Sequence, residues 1–237
     1  MTGATSAGQP VAFFDVDGTL CDTTIAHYFR YFMFRRLPPL RRHFWYAAFL
    51  AKCGYYLLLD RFDRGRLNVI FYRNYAGLPA GEIRAQAEEC ERDVVVPRWF
   101  EGATRCLAEH RSAGREIVLV TGSLDFIVEP LARRVGAADV LAARLIEVNG
   151  RFTGALDGPP LGGAQKARLM REYAERHQID LARSFAYGDS LADFPMLEAV
   201  GRPNVVNPDR RLASLAAARG WPVHRWSVNS SLADAHR

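Results

Sequence analysis

The segment Asp15-Val16-Asp17-Gly18-Thr19 sets two carboxylates, two residues apart, directly after the apolar run Val11-Ala12-Phe13-Phe14. That run reads as a buried strand. Ionised carboxylates so close together repel each other, and each is costly to remove from water. A divalent cation held through oxygen ligands at the carboxyl end of a parallel strand would compensate them. The plainer alternative is a strand that ends in an Asx-turn over Asp-Gly.

Two other strand-like runs end in residues of matching chemistry. Ile117-Val118-Leu119-Val120 leads into Thr121-Gly122-Ser123, with Ser123 suited to cap a helix that starts at Leu124. Backbone N–H groups and a hydroxyl at such a turn suit an anion. Ser184-Phe185-Ala186-Tyr187 leads into Gly188-Asp189-Ser190-Leu191-Ala192-Asp193. Asp189 again puts a carboxylate at a strand end, and Asp193 follows within one helical turn. Helix capping would explain either strand end alone and is the weaker reading for two in one sheet. The cations add a further pointer. Of 31 basic residues 29 are arginine, and the only lysines are Lys52 and Lys166. A lysine kept in such a chain is a candidate for a task that needs a compact ammonium rather than a broad guanidinium. Lys52 fits chance survival equally well.

The elements that must position these residues alternate. Strands are expected at Val11–Asp15, Ile117–Thr121, Val140–Ala143, Ser184–Tyr187 and Asn204–Val206. Helices are expected at Phe100–Ala113, Leu124–Val135, Ala164–His177 and Leu191–Val200, with glycines after three of them where C-caps want them. This alternation predicts an α/β fold, a Rossmann-like parallel sheet with helices on both faces. Residues 145–153 read as a hairpin turning at Asn149-Gly150. Residues 24 to about 98 offer no convincing strand and predict an all-helical insert after the first strand. The expected organisation is therefore a discontinuous core domain of residues 11–23 and 99–226, a helical cap domain of residues 24–98, and tails at 1–10 and 227–237.

The insert has an unusual composition. Residues 28–75 hold 15 of the chain's 27 aromatic residues and ten basic residues, against Asp60 and Asp63 alone. Phe44–Leu59 is a 16-residue apolar run broken by Lys52 and Gly54, short of the roughly 20 residues that cross a bilayer. Such a segment suits a membrane surface, and less well a nucleic acid. A bundle that buries its rings and solvates its arginines is the reading preferred over both.

Asp15-Val16-Asp17-Gly18-Thr19, Thr121-Gly122-Ser123, Lys166 and Gly188-Asp189-Ser190-Leu191-Ala192-Asp193 resemble, in order and spacing, the four motifs of the haloacid-dehalogenase superfamily. The resemblance runs from residue 11 to about 206. The insert is similar to that superfamily's type 1 cap, and Asp193-Phe194-Pro195-Met196-Leu197 resembles the ending found in the phosphoserine-phosphatase-like subfamily. The resemblance implies a Mg²⁺-dependent phosphomonoesterase acting through an aspartyl-phosphate. Asp15 would be the nucleophile and Asp17 the acid and base. Mg²⁺ would bind the Asp15 side chain, the Asp17 main-chain carbonyl and Asp189. Thr121, Gly122 and Lys166 would hold the phosphoryl oxygens, with Asp193 and Ser190 supporting from behind.

On substrate, the resemblance implies a small phosphorylated metabolite, with amino acid and amino alcohol phosphates as candidates. Phosphoserine phosphatases usually carry a glutamate where this chain has Thr24, and an asparagine where it has Ala192, which weighs against phosphoserine itself. Arg61, Arg64, Arg66 and Tyr72 of the insert are the candidate substrate contacts. The other readings are a lipid-phosphate phosphatase whose cap meets a membrane, a phosphomutase, and, more distantly, a non-catalytic phospholigand-binding protein. That last protein would be expected to have lost Asp15, Asp17 or Lys166. The scattered cysteines Cys21, Cys53, Cys90 and Cys106, and a first segment without the features of a signal peptide, predict a cytoplasmic protein with reduced thiols.

Overall fold

The computed structural model describes residues 8–62 and 64–228, leaving out the side chains of residues 58, 60–62 and 64. Most of the two predicted tails, residues 1–7 and 229–237, lies outside this range. Strands β1 (Ala12–Phe14), β2 (Ile117–Leu124), β3 (Asp139–Ala143), β6 (Phe185–Gly188), β7 (Arg202–Val206) and β8 (Val223–His224) form a parallel sheet in the order β3-β2-β1-β6-β7-β8. β4 (Leu145–Val148) and β5 (Arg151–Leu156) form the antiparallel hairpin. It turns at Asn149 and Gly150, with φ of 50° and 73°, the positive pair that a two-residue hairpin turn demands.

The helical insert follows β1. It comprises α1 (Ile25–Arg36), α2 (Pro39–Phe62), α3 (Arg64–Tyr72), α4 (Ala80–Ala85) and α5 (Ala87–Cys90), closed by π and 3₁₀ turns to Arg98. Most of its described rings turn inward. Phe29 sits at the centre, 4.9 Å from the Tyr75 ring, 5.7 Å from Phe49, 5.8 Å from Phe71 and 5.9 Å from Trp45. Clusters of this kind add directional contacts to the area they bury. α2 packs on α1 and α3, so it is the outer helix of the bundle. The far end of the insert grips the core. Arg133 and Arg134 pair with Glu88 and Glu91 at 2.8 and 2.5 Å, and the hairpin is bonded to residues 77–80 by Gly77 N–Phe152 O, Phe152 N–Leu78 O and Ala80 N–Gly150 O at 2.8–3.0 Å.

In the core, α6 (Glu101–Ser112), α7 (Asp125–Val135), α8 (Ala164–Arg176), α9 (Phe194–Glu198) and α10 (Arg210–Arg219) flank the sheet. Apolar side chains from alternate positions of β1 supply both faces: Phe14 belongs to the cluster shared with the insert, Phe13 to the one beneath α8. Three local expectations change. The helix expected over Leu191–Val200 is a 3₁₀ turn, Leu191–Asp193, followed by the short α9, which starts afresh with Pro195 in its first turn, where the missing N–H costs least. β2 runs on to Leu124, which takes the N-cap position of α7 that Ser123 was expected to hold. β8 was not expected, being only two residues long. The chain also stays attached past residue 226, since Glu101 N donates to Ser227 O at 3.0 Å.

Candidate active site

Because β1 lies between β2 and β6, the segments that follow or end these three strands meet at one edge of the sheet. Asp15 is fixed there by its backbone N–H, which donates to Tyr187 O at 3.0 Å. Lys166 reaches it from the first turn of α8, and its Nζ donates to Asp15 Oδ1 and to Asp193 Oδ1, both at 2.6 Å. All three side chains are nearly sealed from solvent, at 5, 6 and 1% exposure for Asp15, Lys166 and Asp193. Burial pushes the Asp15 carboxyl up to about 6 despite the opposing pull of Lys166, with Asp193 and Asp17 adding to the rise. Burial works to lower Lys166, but the charges of Asp15 and Asp193 outweigh it and hold the ammonium above its ordinary value.

Asp17 is held by three hydroxyls. Thr23 Oγ1 and Tyr28 Oη donate to Oδ1 at 2.6 and 2.9 Å, and Ser123 Oγ donates to Oδ2 at 2.5 Å. This is what Ser123 does in place of capping α7. Thr23 and Tyr28 were not anticipated from sequence. Thr23 sits in a polar run, Asp22-Thr23-Thr24, in which any member could cap α1. Tyr28 carries no local signal, being one ring among many in the aromatic insert.

One oxygen each from Asp15, Asp189 and Asp193 lie within 4.8 Å of one another. The set is all carboxylate, with no thiol or imidazole, and so suits a hard cation such as Mg²⁺. Asp193 is the least available of the three, since its Oδ1 takes Lys166 and its Oδ2 accepts from Ser190 Oγ at 2.9 Å. Gly18 makes room for the cluster. At φ of 86°, a Cβ there would stand 2.3 Å from Asp189 Oδ2, so only glycine permits both the turn and the close carboxylate. The Asp17 side chain is outside the cluster.

A cleft opens over these groups. Asp15, Asp17, Thr121, Gly122, Ser123, Lys166, Ser190 and Ala192 form its floor, and Ile25, Cys53, Tyr56, Leu57, Leu67, Asn68, Phe71 and Leu161 line much of its walls. Thr121 Oγ1 accepts from Ser123 N at 3.0 Å, which leaves its own hydrogen to donate into the cleft. Gly122 is where the insert touches the floor: a Cβ would lie 2.7 Å from Asn68 Nδ2 and 2.8 Å from Leu161 O. Tyr72 is buried outside the cleft lining, and its hydroxyl donates to Gly122 O at 2.6 Å. It therefore braces the floor rather than facing a substrate. Arg66 is exposed on α3 and outside the lining. The Arg61 and Arg64 side chains lie outside the described atoms.

The haloacid dehalogenase-like hydrolase family signature matches residues 12–198. A Mycobacterium tuberculosis H37Rv protein named a probable phosphatase is 35% identical over 237 residues, covering 98% of this chain and 80% of its own. A phosphoserine phosphatase of the same organism is 32% identical over 225 residues, covering 92% and 71%. A crystal structure of a protein of unknown function from Bordetella pertussis Tohama I superposes with a TM-score of 0.78 at 27% identity, over 92% of this chain and 98% of that one. With the signature spanning the strand-end aspartates, Thr121, Lys166 and the insert between them, the chain belongs to the haloacid dehalogenase-like hydrolases, in their phosphoserine-phosphatase-like branch.

Proposed function

We propose that the chain is a divalent-cation-dependent phosphomonoesterase that works through an aspartyl-phosphate on Asp15. The observation that carries this reading is the buried chain Asp15–Lys166–Asp193, set beside a separately held second carboxylate, Asp17, in one cleft. Asp15 and Asp189, with the Asp17 main-chain carbonyl, would hold Mg²⁺, which when bound offsets carboxylate–phosphate repulsion and polarises the phosphoryl group. Thr121 and the Gly122 N–H hold phosphoryl oxygens, and Lys166 balances their charge.

Asp15 attacks phosphorus, the ester P–O bond breaks, and Asp17 gives its proton to the leaving oxygen. Asp17, now a carboxylate, takes a proton from water as that water attacks the aspartyl-phosphate. Orthophosphate leaves and Asp15 is restored. The three hydroxyls around Asp17 fix its orientation for both steps. Lys166 cannot itself serve as the base while two carboxylates keep it protonated.

An amino acid or amino alcohol phosphate would bring an ammonium group that needs an acid to face it. Among the described residues that line the cleft, the charged side chains are Asp15, Asp17 and Lys166, all engaged at the phosphate end. Beyond them the described wall residues are apolar apart from Thr24, Asn68 and the Tyr56 hydroxyl, a lining that supports a leaving group with a large apolar part. The test is phosphate release from para-nitrophenyl phosphate. Turnover should require Mg²⁺, vanish with EDTA, and fall at least roughly 10³-fold in Asp15→Asn. An Asp15→Asn protein with full turnover would remove the nucleophile assignment.

A further inference from the structure

The rings of the insert are not all turned inward. On α2, Leu40 and Phe44 are each 81% exposed, and Leu50, Tyr55 and Leu57 are 51, 53 and 72% exposed. Leu40, Phe44, Ala47, Ala48, Ala51 and Tyr55 are all exposed and recur at helical spacing, so they form one continuous apolar stripe. Trp45 and Phe49 point the other way, into the ring cluster. A stripe this long on a water-soluble surface marks an interaction site rather than scattered apolar residues.

Charge identifies the partner. From Thr23 to Leu59 there is no acidic residue, while six residues are Arg or Lys, of which Arg35 and Arg36 pair with Glu89 and Glu82 from elsewhere in the insert. Arg41 and Lys52, both exposed, border the stripe. An apolar stripe edged by cations matches the interface of an anionic bilayer, where rings and aliphatic groups enter the acyl boundary and the cations meet phosphate headgroups. A second copy of the chain matches less well, because a two-fold contact through the stripe would bring its bordering cations together with no acidic residue of the stripe to pair them. Among the described residues no helix is long and apolar enough to cross a membrane, so α2 would lie along the surface.

The stripe and the cleft lie on opposite sides of α2, and the exposed flank of Leu50 and Leu57, seven residues apart, joins them. Cys53, Tyr56 and Leu57 of α2 line the cleft, Leu57 while still largely exposed, and Leu67, Phe71 and Leu161 continue the apolar wall inward towards Thr121 and Asp15. We infer that α2 rests in the headgroup layer of an anionic bilayer and that the substrate is a phosphate monoester bearing an acyl chain, taken from that surface. The phosphate reaches Asp15 and Lys166, and the chain runs back between Phe71 and Leu57. The substrate class rests on the phosphomonoesterase reading above; the surface contact does not.

The experiment floats the full chain with phosphatidylcholine vesicles, with and without roughly 30 mol% phosphatidylglycerol. It then compares turnover of para-nitrophenyl phosphate with that of 1-oleoyl lysophosphatidate carried in the same vesicles. The chain should float with the anionic vesicles and hydrolyse the vesicle-borne ester. Arg41→Gln with Lys52→Gln should weaken partitioning by about 30-fold, from about one increment of surface attraction per cation. Phe44→Glu should weaken it as well through the apolar face. Both variants should keep para-nitrophenyl phosphate turnover within about twofold while losing turnover on vesicles, since these residues lie outside the cleft. Failure of the parent chain to float, or variants that float as it does, would overturn the surface contact. So would a concentration-dependent dimer abolished by Phe44→Glu. Hydrolysis of para-nitrophenyl phosphate without hydrolysis of lysophosphatidate would overturn the substrate class alone. Absence of both activities would overturn the phosphomonoesterase reading, and flotation would still decide the surface.

Discussion

Lys166→Met tests how the site is held together. The substitution keeps an unbranched apolar stem of similar length and removes the charge. Two bonds of 2.6 Å are lost, and Asp15 and Asp193, 5% and 1% exposed, are left facing each other beside Asp189 without a cation. Removing one partner from a buried ion pair typically costs about 3–5 kcal/mol, because the remaining charge stays buried and uncompensated. Against a total stability of roughly 5–15 kcal/mol that is a large fraction, equivalent to a melting shift of about 6–20 °C for a chain of this size. The assay is urea unfolding followed by far-ultraviolet circular dichroism at neutral pH in EDTA, repeated with Mg²⁺. The loss should be greatest in EDTA and shrink when Mg²⁺ can take over part of the lysine's role. Adding Asp193→Asn to Lys166→Met should recover stability, a non-additivity expected of groups that share one network. A Lys166→Met midpoint in EDTA that matches the parent chain would refute the view that this lysine compensates the buried carboxylates.

Gly18→Ala should raise the Mg²⁺ concentration needed for half-maximal turnover by roughly tenfold or more, because its methyl group would occupy the space of Asp189 Oδ2; a titration of activity against Mg²⁺ checks this. Tyr72→Phe removes the hydroxyl that donates to Gly122 O and should cost about 1 kcal/mol in urea unfolding, together with a raised KM as the cleft floor loosens. His110 is a stability sensor away from the cleft. Burial, with Arg115 beside it, pushes its ring from 6.5 down to about 4, and the ring bonds Tyr187 Oη and Arg115 Nε at 2.8 Å each. As pH drops through 6.5 the unfolded chain takes up a proton that the folded chain refuses. Stability should therefore be full above that value and fall on approaching pH 4, by less than the ~3 kcal/mol that an unscreened shift of this size would give. His110→Gln should flatten that slope in unfolding curves taken across the range.

What could be read from the sequence is what is written locally. Asp15, Asp17 and Asp189 announce themselves because carboxylates at the ends of apolar strands need an explanation, and Lys166 stands out against 29 arginines. The parallel sheet follows from alternation, and the hairpin from Asn149-Gly150. What could not be read depends on distant partners. Ser123 looks like a helix cap until β2 is seen to continue past it and present the hydroxyl to Asp17. Tyr72 looks like a substrate contact until its hydroxyl is found on Gly122. The aromatic insert was legible as a bundle, since a ring cluster needs only helices and rings. Which rings would remain outside was not, because the exposed phase of α2 is set by its packing on α1 and α3.

The grip on Asp17 bears on how such proteins can be recombined. Thr23 and Tyr28, two of its three hydroxyl partners, belong to the join between β1 and the insert and to the first turn of α1. The hairpin that follows β3 is likewise bonded to residues 77–80 of the insert. A chimera that exchanged the insert of this chain for that of a relative, cut at the obvious junctions near residues 24 and 98, would therefore carry away part of the support of a core carboxylate. It would also leave the hairpin facing an unmatched partner. Transplants should bring Thr23, Tyr28 and the hairpin with them, and those that omit these pieces should lose turnover on every substrate, not merely change which one is preferred.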